Sequence, residues 1–169
     1  TYLSPLEPVT SPQVRVGFDL YGPVISETGA KNYILVIVDH FSRFAIFEQI
    51  QTKSAQEVAK VFFEKYCLVL GIPRVLISDL GSEFNNEVMK YLCNHLQIDK
   101  RFSSASHPMT NGATEVINRY IRKYLTNMIT EKQMGWEHHL KTCQFAYNTS
   151  IHSSHKNSPY YLMFGTSPN

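Results

Sequence analysis

Cysteine is scarce in this chain: Cys67, Cys93 and Cys143 are the only three in 169 residues. An odd number cannot pair completely, and these stand within predicted helices rather than at metal-ligand spacing. They offer no disulfide framework and read as small buried apolar groups. Charge is also sparse, at 18% of residues against 43% hydrophobic, the balance of an ordinary globular protein rather than a disordered or fibrous one. The net charge of +2 neither demands nor excludes nucleic acid, so the placement of the positive residues decides. Long apolar runs are missing, as is a basic-then-apolar N-terminal signal. The chain therefore reads as soluble and intracellular, with no membrane partner. Seven histidines invite a zinc reading, but His138 with His139 and His152 with His155 lack a matching cysteine pair or a helical HExxH. There is no internal repeat and no low-complexity tract, and the length suits one domain with a core that needs no staples.

What is present has a clear order. Residues 1–12, TYLSPLEPVTSP, carry three prolines without periodicity and read as a linker or leader, with the domain at 13–169. Val14 to Tyr21 alternates as a strand closed by Gly22-Pro23, and Tyr33 to Asp39 is an Ile/Leu/Val run of the kind buried on both faces. Arg43 to Ile50 completes an antiparallel meander. Ser54, with Glu57 three residues later, opens a helix as a capping box, and Gly71-Ile72-Pro73 stops it. Val75 to Ser78 is a short strand, Phe84 to Leu96 a helix, and Ile98 to Phe102 a fifth strand. A long helix follows from Gly112 to about Thr130, with Asn111 expected as its N-cap. Trp136, Leu140, Cys143 and Tyr147 line a further helix, and Ser158 to Phe164 a last short one. The sum predicts an α/β fold with a mixed five-stranded sheet and helices on both faces.

The long helix poses a question of its own. At about 100° per residue, Glu115, Asn118, Arg119, Arg122 and Thr126 share one stripe. Val116, Ile117, Tyr120, Ile121, Tyr124, Leu125 and Met128 form an apolar back. Two other acids stand out, Asp19 inside an apolar strand and Asp79 directly after one. If the fourth strand lies beside the first, right-handed crossover brings Asp19 and Asp79 to adjacent strands, at the carboxyl end where α/β sites form. Carboxylates gathered there repel unless a cation sits among them, and a hard ion such as Mg²⁺ takes oxygen ligands and shares them with substrate phosphates. Taken singly, Asp79 reads as a turn residue and Glu115 as an acid favoured by the helix dipole. Asp19 reads equally as a solvent-facing strand acid or a ligand.

Thirty-five residues separate Asp79 from Glu115. With GFDLYGP, VDHFSR, SDLGSEF, HPMTNGATEVINRYI and AYNTSIHSSHKNSPYYLMFG in that order, the chain resembles the catalytic core of retroviral and LTR-retrotransposon integrases of the gypsy class. The resemblance runs from about Ser11 to the C-terminus. It implies a ribonuclease H-like fold and a D,D(35)E triad of Asp19, Asp79 and Glu115, which would be both catalytic and metal-binding. The implied cofactor is Mg²⁺ or Mn²⁺, two ions when DNA is bound, and the implied activity is trimming of element 3′ ends followed by their joining to target DNA. Asn118, Arg119, Arg122 and Lys123 would contact DNA, and Thr110, Asn111 and Gly112 would form a flexible loop. Asp39 reads as structural and Glu83 as supporting or DNA-facing. His107 reads as a loop histidine with an ordinary hydrogen bond.

The resemblance also implies a homodimer within a larger homo-oligomer, on element ends and target DNA. It places integration in the nucleus, with a virus-like particle or the cytoplasm before it. The zinc-binding HHCC domain that would precede such a core and the DNA-binding domain that would follow it do not occur in these residues, as expected of an excised core. A different expectation is a host-domesticated, integrase-derived domain that binds DNA or protein without catalysis.

Overall fold

The computed structural model describes residues 7–103, 108–130, 135–153 and 156–169, with backbone alone at 108–113 and 129–130. Three antiparallel strands come first: β1 (Arg15–Ile25), β2 (Lys31–Asp39) and β3 (Ala45–Ile50). Helix α1 (Ala55–Val61) continues through a π-helical segment, Phe62–Cys67, into the short α2 (Leu68–Leu70). Strand β4 (Val75–Ser78), α3 (Glu87–His95) and β5 (Asp99–Phe102) follow, then α4 (Pro108–Thr130), α5 (Trp136–Thr149) and α6 (Pro159–Phe164). The five strands form one sheet in the order β3-β2-β1-β4-β5, with β4 parallel to β1 and β5 parallel to β4.

The alternation of β1 and β2 sorts two cores onto the two faces of this sheet. On one face Val16, Phe18, Leu35, Ile37 and Leu76 pack with Val58, Phe62, Tyr66, Met89 and Cys93 of the α1 and α3 side. On the other, Ile34, Val36, Val38 and Phe47 meet Ile117, Ile121 and Leu125 of α4 and Trp136, Leu140, Cys143 and Tyr147 of α5. The continuous apolar run of β2 is thus buried on both sides, as expected of a central strand. All three cysteines are buried and unpaired, and burial pushes Cys67 and Cys143 up to about 12, so they are inert core groups.

Several boundaries differ from expectation. Strand β1 does not end at Tyr21: its pairing with β2 shifts between Tyr21 and Val24, then resumes at Val24–Asn32. Gly22 and Pro23 therefore make an irregularity within the strand rather than its stop, which a bulge permits because proline has no N–H to donate. The capping box at α1 is half formed. Ser54 Oγ accepts from Glu57 N, but the Glu57 carboxylate reaches back beyond Ser54 to the N–H groups of Gln51 and Thr52.

Helix α4 starts at Pro108, not Gly112. The backbone of Thr110, Asn111 and Gly112 is accordingly helical, which corrects the loop and the Asn111 N-cap expected there. Proline suits the first helical position, where an N–H would be unsatisfied. His107 and His155 lie outside the described residues. On the apolar back of α4, Ile117, Ile121, Leu125 and Met128 are buried while Val116 is 44% exposed, so the buried stripe is narrower than the apolar one.

Candidate metal centre and nucleic-acid face

Strands β1 and β4 run in parallel register, Arg15 opposite Val75, Val16 opposite Leu76 and Gly17 opposite Ile77. Continued by two residues, the same register sets Asp19 opposite Asp79, just past the carboxyl end of β4. Side chains alternate along a strand. Since Val16 and Phe18 enter the α1 side, Asp19 points to the side that carries α4.

Helix α4 closes over Asp19 from that side. Asn118 Nδ2 donates to Asp19 Oδ2 at 3.2 Å. Burial is the largest influence on the Asp19 carboxyl and raises it, partly offset by the hydrogen bonds from Asn118 and the Leu20 backbone. The negative charges of Asp79 and Glu83 raise it further. Asp79 is held in turn by the Gly81 N–H, which donates to its Oδ1 at 2.8 Å. Glu83 folds back over Gly81, where a Cβ would meet its Oε1 at 2.7 Å.

Glu115 is exposed and lies three residues before Asn118 on α4. Residues at that spacing are neighbours on one helix face. The structure therefore brings Asp19, Asp79 and Glu83 into one electrostatic group, with Glu115 one turn away along the helix that roofs it. The acids offer only oxygen donors, and the single oxygen of the Asn118 amide, Oδ1, is buried without a hydrogen-bond partner among the described residues. A half-buried carboxyl raised by burial and, to a lesser extent, by two neighbouring acids, beside an unpartnered amide oxygen, fits a hard dication.

Sequence reasoning missed two features. Lys100 of β5 donates to Ser78 Oγ at 2.6 Å and to Arg101 O at 3.0 Å. Burial pushes its ammonium down to about 8, against the pull of Cys93 and Asp79, so a cation already stands within range of Asp79. A lysine between Asp99 and Arg101 has no signature that could have flagged it. Asn118, read as a DNA contact, has Asp19 as its partner; its place in the Glu115 stripe was the available signal. Arg119, Arg122 and Lys123 are exposed on the same helix. Asp39 is structural, as read: fully buried, it accepts from Gln13 N, Ser42 N and Ser42 Oγ. A cavity of about 800 Å³ between α3 and β5, lined by Phe84, Asn86, Lys90, Lys100 and Phe102 among others, includes none of the three triad acids.

Comparison with known proteins follows the same lines. The family model described as "Integrase core domain" matches residues 13–108. The retrovirus-related Pol polyprotein from transposon 412 of Drosophila melanogaster is 30% identical over 155 residues, 92% of this chain and 12% of that protein. The transposon Tf2-3 polyprotein of Schizosaccharomyces pombe is 28% identical over 168 residues, 98% of this chain and again 12% of the relative. The chain thus spans about an eighth of these relatives. Among solved structures, the HTLV-2 integrase catalytic core domain in complex with magnesium superposes with a TM-score of 0.74 at 16% identity, covering 90% of this chain and 97% of that one. A chain of the simian T-cell lymphotropic virus intasome gives 0.81 at 16% identity, covering 97% and 58%. These likenesses establish the ribonuclease H-like fold of integrase cores.

Proposed function

The chain belongs to the integrase core domain family, and from that premise we propose that it is a metal-dependent polynucleotidyl transferase whose ions are held by Asp19, Asp79 and Glu115. The observation that carries this reading is the common register of β1 and β4, which sets Asp19 opposite Asp79 beneath α4. Asn118 restrains the Asp19 carboxylate and the Gly81 N–H restrains that of Asp79, so both lose little freedom on taking up a ligand. Glu115, one turn from Asn118, completes the set by a change of its own rotamer. Two Mg²⁺ or Mn²⁺ ions bound there would supply Lewis-acid stabilisation to the attacking and leaving oxygens of an in-line phosphoryl transfer.

The remaining residues of α4 bind the polymer. Arg119, Arg122 and Lys123 extend the acid stripe outward and meet phosphates, which position a duplex without reading its sequence. The substrates on this reading are element DNA ends, trimmed at their 3′ ends, and the target DNA that receives them. The working unit is a homodimer within a larger homo-oligomer, a proposal supported by the dimeric form and the intasome named among the structural neighbours.

A strand-transfer or disintegration assay with Mg²⁺ or Mn²⁺, comparing wild type with Asp79→Asn and Glu115→Gln, tests the assignment. Activity in wild type and background in both variants is the expected result. Equal activity in all three rejects the triad, and activity in none favours a host-domesticated domain that binds without catalysis.

A further inference from the structure

The turn after β1 and the start of α5 meet although they are 110 residues apart. There Glu27, Glu137 and His138 each present one ligand atom, and the three atoms lie within 4.8 Å of one another. The backbone N–H of Glu27 donates to Glu137 Oε1 at 2.9 Å, and His138 Nε2 lies 3.2 Å from Glu27 Oε2. The second oxygen of Glu137, Oε2, is sealed from solvent and has no hydrogen-bond partner among the described residues. A carboxylate oxygen in that position is costly unless a proton or a cation meets it.

The surroundings hold these groups in place. Trp136 Nε1 donates to Ile25 O at 2.8 Å, tying the first residue of α5 to the last of β1. The turn that carries Glu27 is closed by Ser26 N to Ala30 O at 2.8 Å and Gly29 N to Ser26 O at 2.9 Å. Gly135 leaves the room: a Cβ there would come within 2.6 Å of His138 Cδ2 and 3.0 Å of Glu27 Oε2. Glu27 and His138 are exposed enough for an ion to enter, at 44% and 69% of their side chains.

We propose that Glu27, Glu137 and His138 form a second metal site, for a transition-metal dication of the Zn²⁺ class, which clamps the β1–β2 turn to the start of α5. One imidazole nitrogen with two carboxylate oxygens, and water in the fourth position, is a set that zinc accepts. Imidazole suits Zn²⁺, whereas Mg²⁺ takes oxygen, so this site and the all-oxygen group at Asp19 select different ions. They are also separate along β1, since six residues of strand, roughly 20 Å at about 3.3 Å each, run from Asp19 to Ile25 before the turn that carries Glu27. The bound ion takes the place of the direct His138–Glu27 contact and neutralises the Glu137 carboxylate, whose Oε2 has no hydrogen-bond partner among the described residues. The clamp does not depend on the catalytic reading above.

Zn²⁺ titrated calorimetrically into metal-stripped protein in excess Mg²⁺ tests this. One Zn²⁺ per chain is expected in wild type and in Asp79→Asn. In His138→Ala and Glu137→Gln the affinity should fall by more than about tenfold, beyond the usual loss of an outer partner. Because His138 is exposed, its alanine variant keeps the fold, which far-UV circular dichroism verifies. Co²⁺ used in place of Zn²⁺ should give the visible absorption of a four-coordinate site in wild type and not in His138→Ala. Zn²⁺ uptake that survives in His138→Ala but disappears in Asp79→Asn overturns the proposal, as does a wild-type chain that takes up no Zn²⁺.

Discussion

His40 lies directly over Gly17, where a Cβ would come 2.5 Å from its Nε2. Arg15 Nε donates to its Nδ1 at 2.8 Å, so the ring must be neutral to accept. Burial, then the charges of Arg15 and Arg43, push His40 from 6.5 down to about 3. In the unfolded chain the imidazole takes a proton near pH 6.5 that the native protein refuses until about pH 3. The unfolded state therefore binds more protons across that window, and stability falls as pH drops through it, by about 1.4 kcal/mol per pH unit from this group. Urea denaturation at pH 7 and pH 5 should show that loss in wild type and a smaller one in His40→Gln. Neighbouring Asp39 explains why the VDHFSR words are structural: its three hydrogen bonds fasten the β2–β3 turn and Gln13. The acid was legible in the sequence, but its partners were not, because Gln13 is 26 residues away.

Strand β3 is an edge of the sheet, and an edge strand leaves a row of backbone groups without strand partners. Helix α5 supplies those partners with side chains. Asn148 Oδ1 accepts from Ala45 N at 2.9 Å while its Nδ2 donates to Ala45 O at 2.8 Å, both bonds buried. Gln144 Oε1 accepts from Phe47 N, and Lys141 Nζ donates to Phe47 O and pairs with Glu48. Asn148→Ala would leave both the N–H and the C=O of Ala45 unmet, so chemical denaturation should register a loss of about 2–4 kcal/mol. Exposed Thr142→Ala on the same helix should change stability by less than about 0.5 kcal/mol. The heptad-like apolar spacing of Trp136, Leu140, Cys143 and Tyr147 announced this helix and its buried face. It could not announce that the polar residues between them complete a sheet, since that depends on which strand lies alongside.

At the scale of the molecule, the charge balance is nearly neutral, so the DNA affinity proposed above would come from where the cations are gathered rather than from a global field. The outward stripe of α4 is such a place. Arg119→Glu should weaken DNA binding and reduce the slope of affinity against salt by about one phosphate contact; fluorescence anisotropy across a salt titration measures both. Strand number, the two-sided burial of β2 and the helical tail were all legible, because they follow from hydrophobic periodicity, which is local. The start of α4 was misjudged because Gly112 looked like a boundary, whereas Pro108 in the first turn begins the helix. The sequence by itself determined the order and type of the elements, since hydrophobic periodicity is complete in one dimension, and through its family resemblance it offered Asp19, Asp79 and Glu115 as candidate ligands. Only the tertiary structure decided that Asn118 bonds Asp19, that Glu83 and Lys100 act on the acid group, and that Glu27 comes to lie against Glu137 and His138. Each of those relations joins residues brought together by strand order and helix docking, such as Asn118 and Asp19 at 99 residues' separation, which a local pattern of residues does not specify.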